Sequence, residues 1–378
     1  MTENPFRYGA LALDDAFTNR ERELTELVAD VRNGQDVVIL GRRRYGKSSL
    51  VWRAMAQLAG EDVLVAYVDL MATPTKERFA ARLAKAIHDD IASPLERARD
   101  RALAVFRSLR VQPRVTIDPN DASLSFSFGV GHEAADVDAT VESLLELPGR
   151  LGADRGRRVA LVFDEFQEVT ALDPHYPRLM RAVFQTQPEV AHVYLGSKRH
   201  LMLGIFNDEN EPFWRSAKQT ELGPIALDRF GDYVGERLAG TGRGIAKPTL
   251  ARLLELTGGH PYATQQLCYF LWEELPEGFE AGEPELERAL ERVVDSEHNH
   301  FALVWEESTR NERLLLLALA REPGRPFSVD YRRRHGLPSA SHVQRSLRSL
   351  VRRELAEKDE GGVYRVAEPF LDRWLERV

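Results

Sequence analysis

The stretch Gly41-Arg42-Arg43-Arg44-Tyr45-Gly46-Lys47-Ser48 matches the pattern G-x-x-x-x-G-K-[ST] at every fixed position. It follows the apolar run Asp36-Val37-Val38-Ile39-Leu40 and precedes residues 47–58, whose apolar positions fall on one helical face. A glycine-bordered turn between a strand and a helix directs backbone N–H groups inward, where they can surround phosphate groups. The sequence therefore predicts a phosphate-binding loop; the alternative is a Gly/Arg turn that binds nothing.

The residue types in this loop suit a nucleotide and a metal ion. Gly41 and Gly46 let the backbone fold around an anion, and Lys47 brings a cation to the β- and γ-phosphate oxygens. The Ser48 hydroxyl is a hard oxygen ligand of the kind that Mg²⁺ prefers. We expect further contacts to the nucleotide from three other residues in and beside the loop: Arg44, Tyr45 and Ser49.

Two consecutive acidic residues follow a second apolar run. Val159-Ala160-Leu161-Val162-Phe163 leads directly into Asp164 and Glu165, so both carboxylates should emerge at the carboxyl end of a buried strand. We expect Asp164 to hold the Mg²⁺ shell and Glu165 to act as the general base that orients and deprotonates an attacking water. The alternative is a pair of acids in an exposed turn.

A third strand supplies candidate polar and cationic groups. Ala191-His192-Val193-Tyr194-Leu195 ends in a segment that contains Ser197 and Arg199, and a position beside the other two strands would bring these side chains to the γ-phosphate. Arg215 is a further candidate cation, which could act in its own subunit, act on a neighbouring subunit, or pair with an acid.

The pattern of apolar runs and helices predicts an α/β fold with a doubly wound parallel sheet. We assign residues 1–225 to this domain, with an inserted β-hairpin at about 112–130 that we interpret as a surface excursion; the alternative is an arm that contacts a partner. Residues 226–300 are expected to form a small helical lid domain. Residues 301–378 show helix, helix–turn–helix and hairpin in the order of a winged helix.

Composition limits the classes of function. The 378-residue chain has 51 Lys and Arg against 59 Asp and Glu, a net charge of −8, which gives no general case for nucleic-acid binding. Residues 311–378 are the exception, with 14 basic against 10 acidic residues, and could contact DNA or simply form a solvated face. The one cysteine, Cys268, excludes an intrachain disulfide. Because no apolar run is long enough to span a bilayer and the first residues are polar, we expect a cytoplasmic protein.

Several motifs in the same order resemble the prokaryotic ATPases of the STAND/AAA+ group, often called archaeal-type ATPases. The opening Asn4-Pro5-Phe6-Arg7-Tyr8-Gly9 and the segment Phe17-Thr18-Asn19-Arg20-Glu21-Arg22-Glu23-Leu24 are similar to the entrance motif of that family, although Asn19 stands where many relatives have glycine. The phosphate loop, Asp164-Glu165, Gly196-Ser197, Gly258-Gly259-His260-Pro261 and the segment 364–375 follow.

The resemblance implies binding of ATP or ADP with Mg²⁺, slow hydrolysis of ATP to ADP and phosphate, and a conformational switch. It also implies an adenine pocket near Phe6, Arg7, Tyr8, Phe17 and Arg20, with His260 and Pro261 close to the nucleotide. The alternative is an ADP-locked, essentially non-hydrolysing regulator that binds DNA or a protein through its winged helix. A homo-oligomer in which an arginine completes the neighbouring site is also left open.

Overall fold

The computed structural model describes residues 3–11, 17–71, 73–91, 106, 109, 113–117, 124–128, 134–359 and 361–378. They belong to two compact units, of which one is Arg20–Gly223 and the other combines Met1–Asn19 with Pro224–Val378. No helix in these ranges is both long enough and apolar enough to cross a bilayer.

The first unit begins with two strand–helix pairs that follow an opening helix. Its first elements are α1 (Glu21–Arg32), β1 (Val37–Leu40), α2 (Lys47–Gly60), β2 (Leu64–Asp69) and α3 (Lys76–Ala86). The Thr75 side chain caps α3 by accepting the N–H of Arg78, and a π-helical turn at Ile87–Ile91 continues this helix.

The remainder of the first unit adds five strands and four helices among the described residues. They are β3 (Arg114–Ile117), β4 (Leu124–Ser127), α4 (Ala134–Arg155), β5 (Val159–Asp164), α5 (Val169–Leu172), α6 (Tyr176–Phe184), β6 (Val190–Leu195), α7 (Arg199–Asn207) and β7 (Lys218–Glu221). A 3₁₀ turn at Phe166–Glu168 joins β5 to α5.

Five of these strands form a parallel sheet in the order β2–β5–β6–β1–β7. The four residues of β1 and the six of β6 are all buried, as near-continuous apolar strands covered on both faces require. The predicted doubly wound α/β fold is confirmed. Because β6 lies between β1 and β5, the carboxyl ends of all three strands meet at one edge of the sheet.

The strands of the predicted hairpin pair antiparallel, with Val115 opposite Phe126. Phe126 and Phe128 are each only 8% exposed and belong to the core of this unit, whereas Ser125 and Ser127 are exposed, so the alternating sequence of β4 forms a half-buried strand. The choice between a surface excursion and an arm that contacts a partner stays a prediction. The Phe126 ring packs edge-on against Phe106 and lies 5.2 Å from the His88 ring. The predicted turn at 118–121 lies outside the described residues.

The second unit is helical with short strand pairs. Its elements are α8 (Leu227–Ala239), β8 (Gly244–Ile245), α9 (Lys247–Thr257), α10 (Pro261–Glu274), β9 (Glu280–Ala281), α11 (Glu283–Ser296), α12 (His298–Glu306), α13 (Arg310–Arg321), α14 (Val329–Arg334), α15 (Ala340–Arg352), β10 (Ala356–Lys358), β11 (Tyr364–Val366) and α16 (Leu371–Leu375). The parallel pair β8–β9, two residues long in each strand, lies in a region expected to be purely helical.

The predicted winged-helix order is present in α13, α14, α15 and the antiparallel pair β10–β11. Helix α13 begins with a capping box between Thr309 and Glu312. The apolar face of α15 is buried at Val343, Leu347 and Leu350, whereas Val351 is exposed.

The first nineteen residues belong to this unit rather than to the α/β domain to which the sequence assigned them. Phe6 is part of the same core as α8 and α10, and the Asn4 side-chain amide donates a hydrogen bond to the carbonyl of Tyr269 at 3.1 Å. One continuous apolar core runs from the predicted lid into the winged helix. The division of the chain into three domains stays a prediction.

Candidate active site

The phosphate loop connects β1 to α2, and its backbone turns sharply twice. Gly46 has φ +81° immediately before α2, and Arg44 has φ +62°, a conformation that non-glycine residues rarely adopt. Gly41 lies against the next strand connection, because a Cβ atom there would be 3.1 Å from the carbonyl oxygen of Leu222. The positive φ favours glycine at Gly46, and the close approach to Leu222 favours it at Gly41.

Lys47, at the first position of α2, is 7% exposed and folds over the loop. Its ammonium donates hydrogen bonds to the carbonyl oxygens of Gly41 and Arg42, each at 2.8 Å. Tyr45 and Ser49 are also buried. The cation thus lies within the loop, where an anion held by the loop amides would meet it.

Asp164, at the end of β5, receives hydrogen bonds on both carboxylate oxygens. Ser48 donates to Oδ2 at 3.2 Å, the Tyr67 hydroxyl donates to the same oxygen, and the N–H of Glu165 donates to Oδ1 at 2.9 Å. Burial raises the pKa of the Asp164 carboxyl, while these donors act in the opposite direction. The pKa of Tyr67 is raised by burial and by the neighbouring carboxylate.

The side chain of Glu165 has different partners from that of Asp164. Its backbone adopts the left-handed conformation, with φ +53°. Its Oε2 accepts hydrogen bonds from the N–H of Ser197 at 3.2 Å, from the Ser197 hydroxyl at 2.8 Å and from the Gln167 side-chain amide. Gly196 leaves no room for a side chain, since Met202 and Gln167 lie directly against it. The end of β6 therefore holds the second carboxylate in place.

The two candidate arginines lie at the surface. Arg199 forms an ion pair with Glu221 at 2.7 Å, and both side chains are about half exposed. Arg215 is exposed, has φ +50°, and its guanidinium lies 5.1 Å from the centroid of the Trp214 ring. A role in the chemistry of this site stays a prediction for both.

The N-terminal residues predicted to contact adenine pack within the second unit. Phe6 is 1% exposed and meets Tyr233 edge-on, with 6.4 Å between the ring centroids, so its ring is a core residue. Tyr8 packs edge-on against Tyr262 at 5.7 Å, while Arg7 is exposed. Contact of these residues with adenine stays a prediction, and for Phe6 the burial gives a structural reason for the residue instead.

Phe17 and Arg20 lie on either side of the boundary between the units. Phe17 is half-buried; Arg20 is buried, pairs with Glu23 at 3.2 Å and donates to the carbonyl of Gly223 at 2.5 Å. Asn19 has φ +56°, the left-handed conformation that glycine adopts freely and asparagine tolerates. This conformation explains how asparagine can stand where relatives have glycine.

The motif Gly258-Gly259-His260-Pro261 joins α9 to α10. Gly258 ends α9 with φ +56°, Pro261 is the first residue of α10, and the His260 ring accepts the N–H of the residue three positions later. Gly259 packs so closely on the Ile225 carbonyl that a Cβ atom would clash with it. Capping and close packing account for the motif locally, and a contact of His260 or Pro261 with nucleotide stays a prediction.

Two residues of this site were missed by sequence reasoning. Tyr67 lies inside an apolar strand, where an aromatic residue is typical of a core, and Gln167 lies in a turn after the acidic pair. In the structure Tyr67 faces the other way from its neighbours Ala66 and Val68, which are buried, but the sequence of these three residues gave no signal of this.

The donor atoms next to the loop suit a magnesium ion. The Ser48 hydroxyl and the Asp164 carboxylate are hard oxygen ligands, and their direct hydrogen bond shows that both can reach one small cation. We therefore treat these two side chains as the candidate metal ligands.

Two families of known proteins match parts of this chain. Residues 17–267 match the family described as an ATPase domain predominantly from Archaea, and residues 299–377 match a probable winged helix domain. No functionally curated protein is significantly similar in sequence.

Two solved structures are similar to this chain at low sequence identity, and the first of them shares its fold. A Walker-type ATPase of Pyrococcus abyssi is 17% identical with a TM-score of 0.69, over 98% of this chain and 99% of that one. The ORC1 protein of Aeropyrum pernix, solved in complex with DNA, is 16% identical with a TM-score of 0.49, over 96% of this chain and 94% of that one. Because the family match spans well over half of the sequence, the chain belongs to the ATPase domain family found predominantly in Archaea, with a winged helix domain at its C-terminal end.

Proposed function

We propose that the protein binds ATP with Mg²⁺ and hydrolyses it to ADP and phosphate, and that turnover drives a conformational change. The observation that carries this proposal is the meeting of Lys47, Ser48, Asp164 and Glu165 at one edge of the sheet, with Ser48 and Asp164 in direct contact. A phosphate loop alone would suit a nucleotide-binding protein of any kind. The second carboxylate, held separately by Ser197, is what favours hydrolysis.

Each side chain has a distinct task in this proposal. Lys47 binds the phosphate oxygens, and Ser48 and Asp164 hold the metal ion, which when bound offsets the negative charge on those oxygens. Glu165 accepts the proton of the water that attacks the γ-phosphorus, while the bond between that phosphorus and the oxygen of ADP breaks. Ser197 keeps the Glu165 carboxylate oriented.

The first experiment measures ATP binding by calorimetry in wild type and in Lys47→Ala. We expect binding to be lost in the variant, because the cation at the phosphates is removed. Lys85→Ala is a matched control, since Lys85 is a half-exposed lysine that pairs with Asp89 on a different helix. Retained ATP affinity in Lys47→Ala would contradict the proposed role of the loop.

The conformational part of the proposal concerns the two compact units. We propose that their arrangement differs between the ATP and ADP states, because a ligand that binds one arrangement more tightly shifts the population toward it. Small-angle X-ray scattering with each nucleotide tests this, and identical curves would remove the switch.

We also propose DNA as a partner of the winged helix. Arg345, Arg348 and Arg352 are exposed along α15, whereas Arg334 and Arg353 elsewhere in this region pair with acidic residues. Among the described residues no ion pair neutralises these three guanidinium groups, and exposed guanidinium groups on one helix suit phosphate contacts. A titration with mixed-sequence duplex at low salt tests this, because phosphate contacts should be strongest there; a variant with all three arginines changed to alanine should bind less.

Absence of duplex binding at low salt would leave a protein partner, or a homo-oligomer in which Arg215 acts on a neighbouring site. Light scattering with ATP and with ADP distinguishes these outcomes. A monomer mass with both nucleotides would remove the oligomer.

A further inference from the structure

The Tyr67 hydroxyl shares one oxygen of Asp164 with the candidate metal ligand Ser48. A carboxylate offers about four acceptor positions. Two on Oδ2 are used by Ser48 and Tyr67, and one on Oδ1 is used by the N–H of Glu165. One acceptor position on Oδ1 is left over. The three hydrogen bonds also fix the plane of the Asp164 carboxylate, and hence the direction of that remaining position.

Tyr67 is itself held at two points. Its ring stacks on the Trp52 ring, with centroids 5.0 Å apart and 29° between the ring planes. Trp52 lies four residues after Ser48 in α2, so the two side chains share one face of that helix. Tyr67 therefore connects the helix that carries Ser48 to the strand end that carries Asp164.

The donors around Asp164 give the hydroxyl a task. The Asp164 side chain is half-buried at the end of β5, and the direction of its carboxylate depends on these donors. Ser48 makes one contact of 3.2 Å to Oδ2, and the N–H of Glu165 donates to Oδ1 at 2.9 Å. The Tyr67 hydroxyl, fixed by an aromatic stack, adds a second donor to Oδ2 from a constant direction.

We propose that Tyr67 is a positioning residue for magnesium: its hydroxyl, fixed by the stack on Trp52, keeps the Asp164 carboxylate turned toward Ser48, so that the two oxygens are prearranged for the ion. This inference rests on the proposed function, since it concerns the same metal site. It assigns Tyr67 no contact with the substrate.

The test is the effect of Mg²⁺ on ADP affinity in wild type and in Tyr67→Phe, measured by calorimetry in EDTA and across a Mg²⁺ titration. Loss of a hydrogen-bonding partner behind a metal ligand typically weakens metal affinity by about 10–100-fold. We expect the Mg²⁺ midpoint to rise by roughly tenfold in Tyr67→Phe, with ADP affinity in EDTA unchanged. The variant keeps the ring and hence the stack on Trp52.

Tyr194→Phe is the matched control. Tyr194 is a buried tyrosine of β6 in the same sheet, and its hydroxyl has no hydrogen-bond partner in the described part of the chain. We expect its Mg²⁺ midpoint to equal that of wild type.

The outcomes separate the two proposals. An unchanged Mg²⁺ midpoint in Tyr67→Phe, or an equal loss of affinity in EDTA and in Mg²⁺, would overturn the positioning role. A wild-type protein that binds ADP without any response to Mg²⁺ would overturn the proposed metal site and the positioning role together.

Discussion

The strand ends of the first unit and the N-terminal segment of the second both carry motifs of the family, but their side chains make different kinds of contact. Ser48, Asp164 and Glu165 make hydrogen bonds to polar groups from other strand ends. Phe6 and Tyr8 instead pack against aromatic rings of their own unit.

The difference follows from the chemistry of the residues. A buried carboxylate requires hydrogen-bond donors, so polar groups must lie next to it. A motif that contains such a carboxylate therefore predicts which kinds of residue surround it. An aromatic ring is satisfied by any close-packed apolar surroundings. Polar motifs therefore specify a site more sharply than aromatic ones.

Glu165→Gln should cause the largest change in the polar region. Phosphate release should fall by roughly 10²–10⁴-fold, because general-base catalysis typically contributes that much. ATP affinity should be retained, since the amide keeps the size of the side chain. A colorimetric phosphate assay measures the rate, and Glu146→Gln, on the exposed side of α4, is the control.

Equal rates for Glu165→Gln and wild type would show that the hydrogen bonds among Asp164, Glu165 and Ser197 have a structural role only. The favoured interpretation would then be the ADP-locked regulator. The polar region and the aromatic region would then no longer differ in function.

Phe6→Ala should cause the largest change in the aromatic region. Its effect should be on folding, with a free energy of unfolding lower by about 3–5 kcal/mol, the usual range for a buried phenylalanine. The neighbouring exposed Arg7→Ala should stay within about 0.5 kcal/mol of wild type. Urea denaturation followed by circular dichroism measures both.

ATP affinity measured in Phe6→Ala and Arg7→Ala tests whether this segment contacts the nucleotide or only stabilises the fold. Weaker ATP binding in Arg7→Ala, with unchanged stability, would support an adenine contact by this segment. An unchanged stability of Phe6→Ala would contradict the packing role of the ring.

Much of the fold could be predicted from sequence because its signals are local. The apolar runs that became β1, β5 and β6 end at Gly41, Asp164 and Gly196, and parallel strands bring their carboxyl ends to one edge. Strand β7 gave no such signal, because Lys218-Gln219-Thr220-Glu221 is polar and mostly exposed, and only its pairing with β1 makes it a strand.

The missed contact of Tyr67 depends on a partner that is distant in the chain. Tyr67 lies 97 residues from Asp164, and the two residues come together because β2 pairs with β5. A contact between such distant residues cannot be derived from the spacing within a motif.

Ser197→Ala should lower the rate of ATP hydrolysis by less than Glu165→Gln does. The hydroxyl contact to Glu165 is lost while the backbone N–H contact remains, and a hydrogen bond to a charged group contributes about 1.5–3 kcal/mol. We expect kcat to fall by at least roughly tenfold with KM unchanged, because the lost contact is to the proposed general base. Steady-state kinetics measures this split, and Ser197→Thr, which keeps a hydroxyl, should recover part of the rate. A changed KM with unchanged kcat would show that Ser197 binds substrate instead.

The ion pair of Arg199 with Glu221 should have the smallest effect, because exposure reduces the attraction between its charges. Both side chains are about half exposed, and such pairs contribute about 0.2–1 kcal/mol. A double-mutant cycle with Arg199→Ala and Glu221→Ala, followed by urea denaturation, measures the coupling. A coupling energy well above this range would indicate that the pair is screened from water. Arg199 would then belong with the buried polar groups at the strand ends and not with the solvated surface.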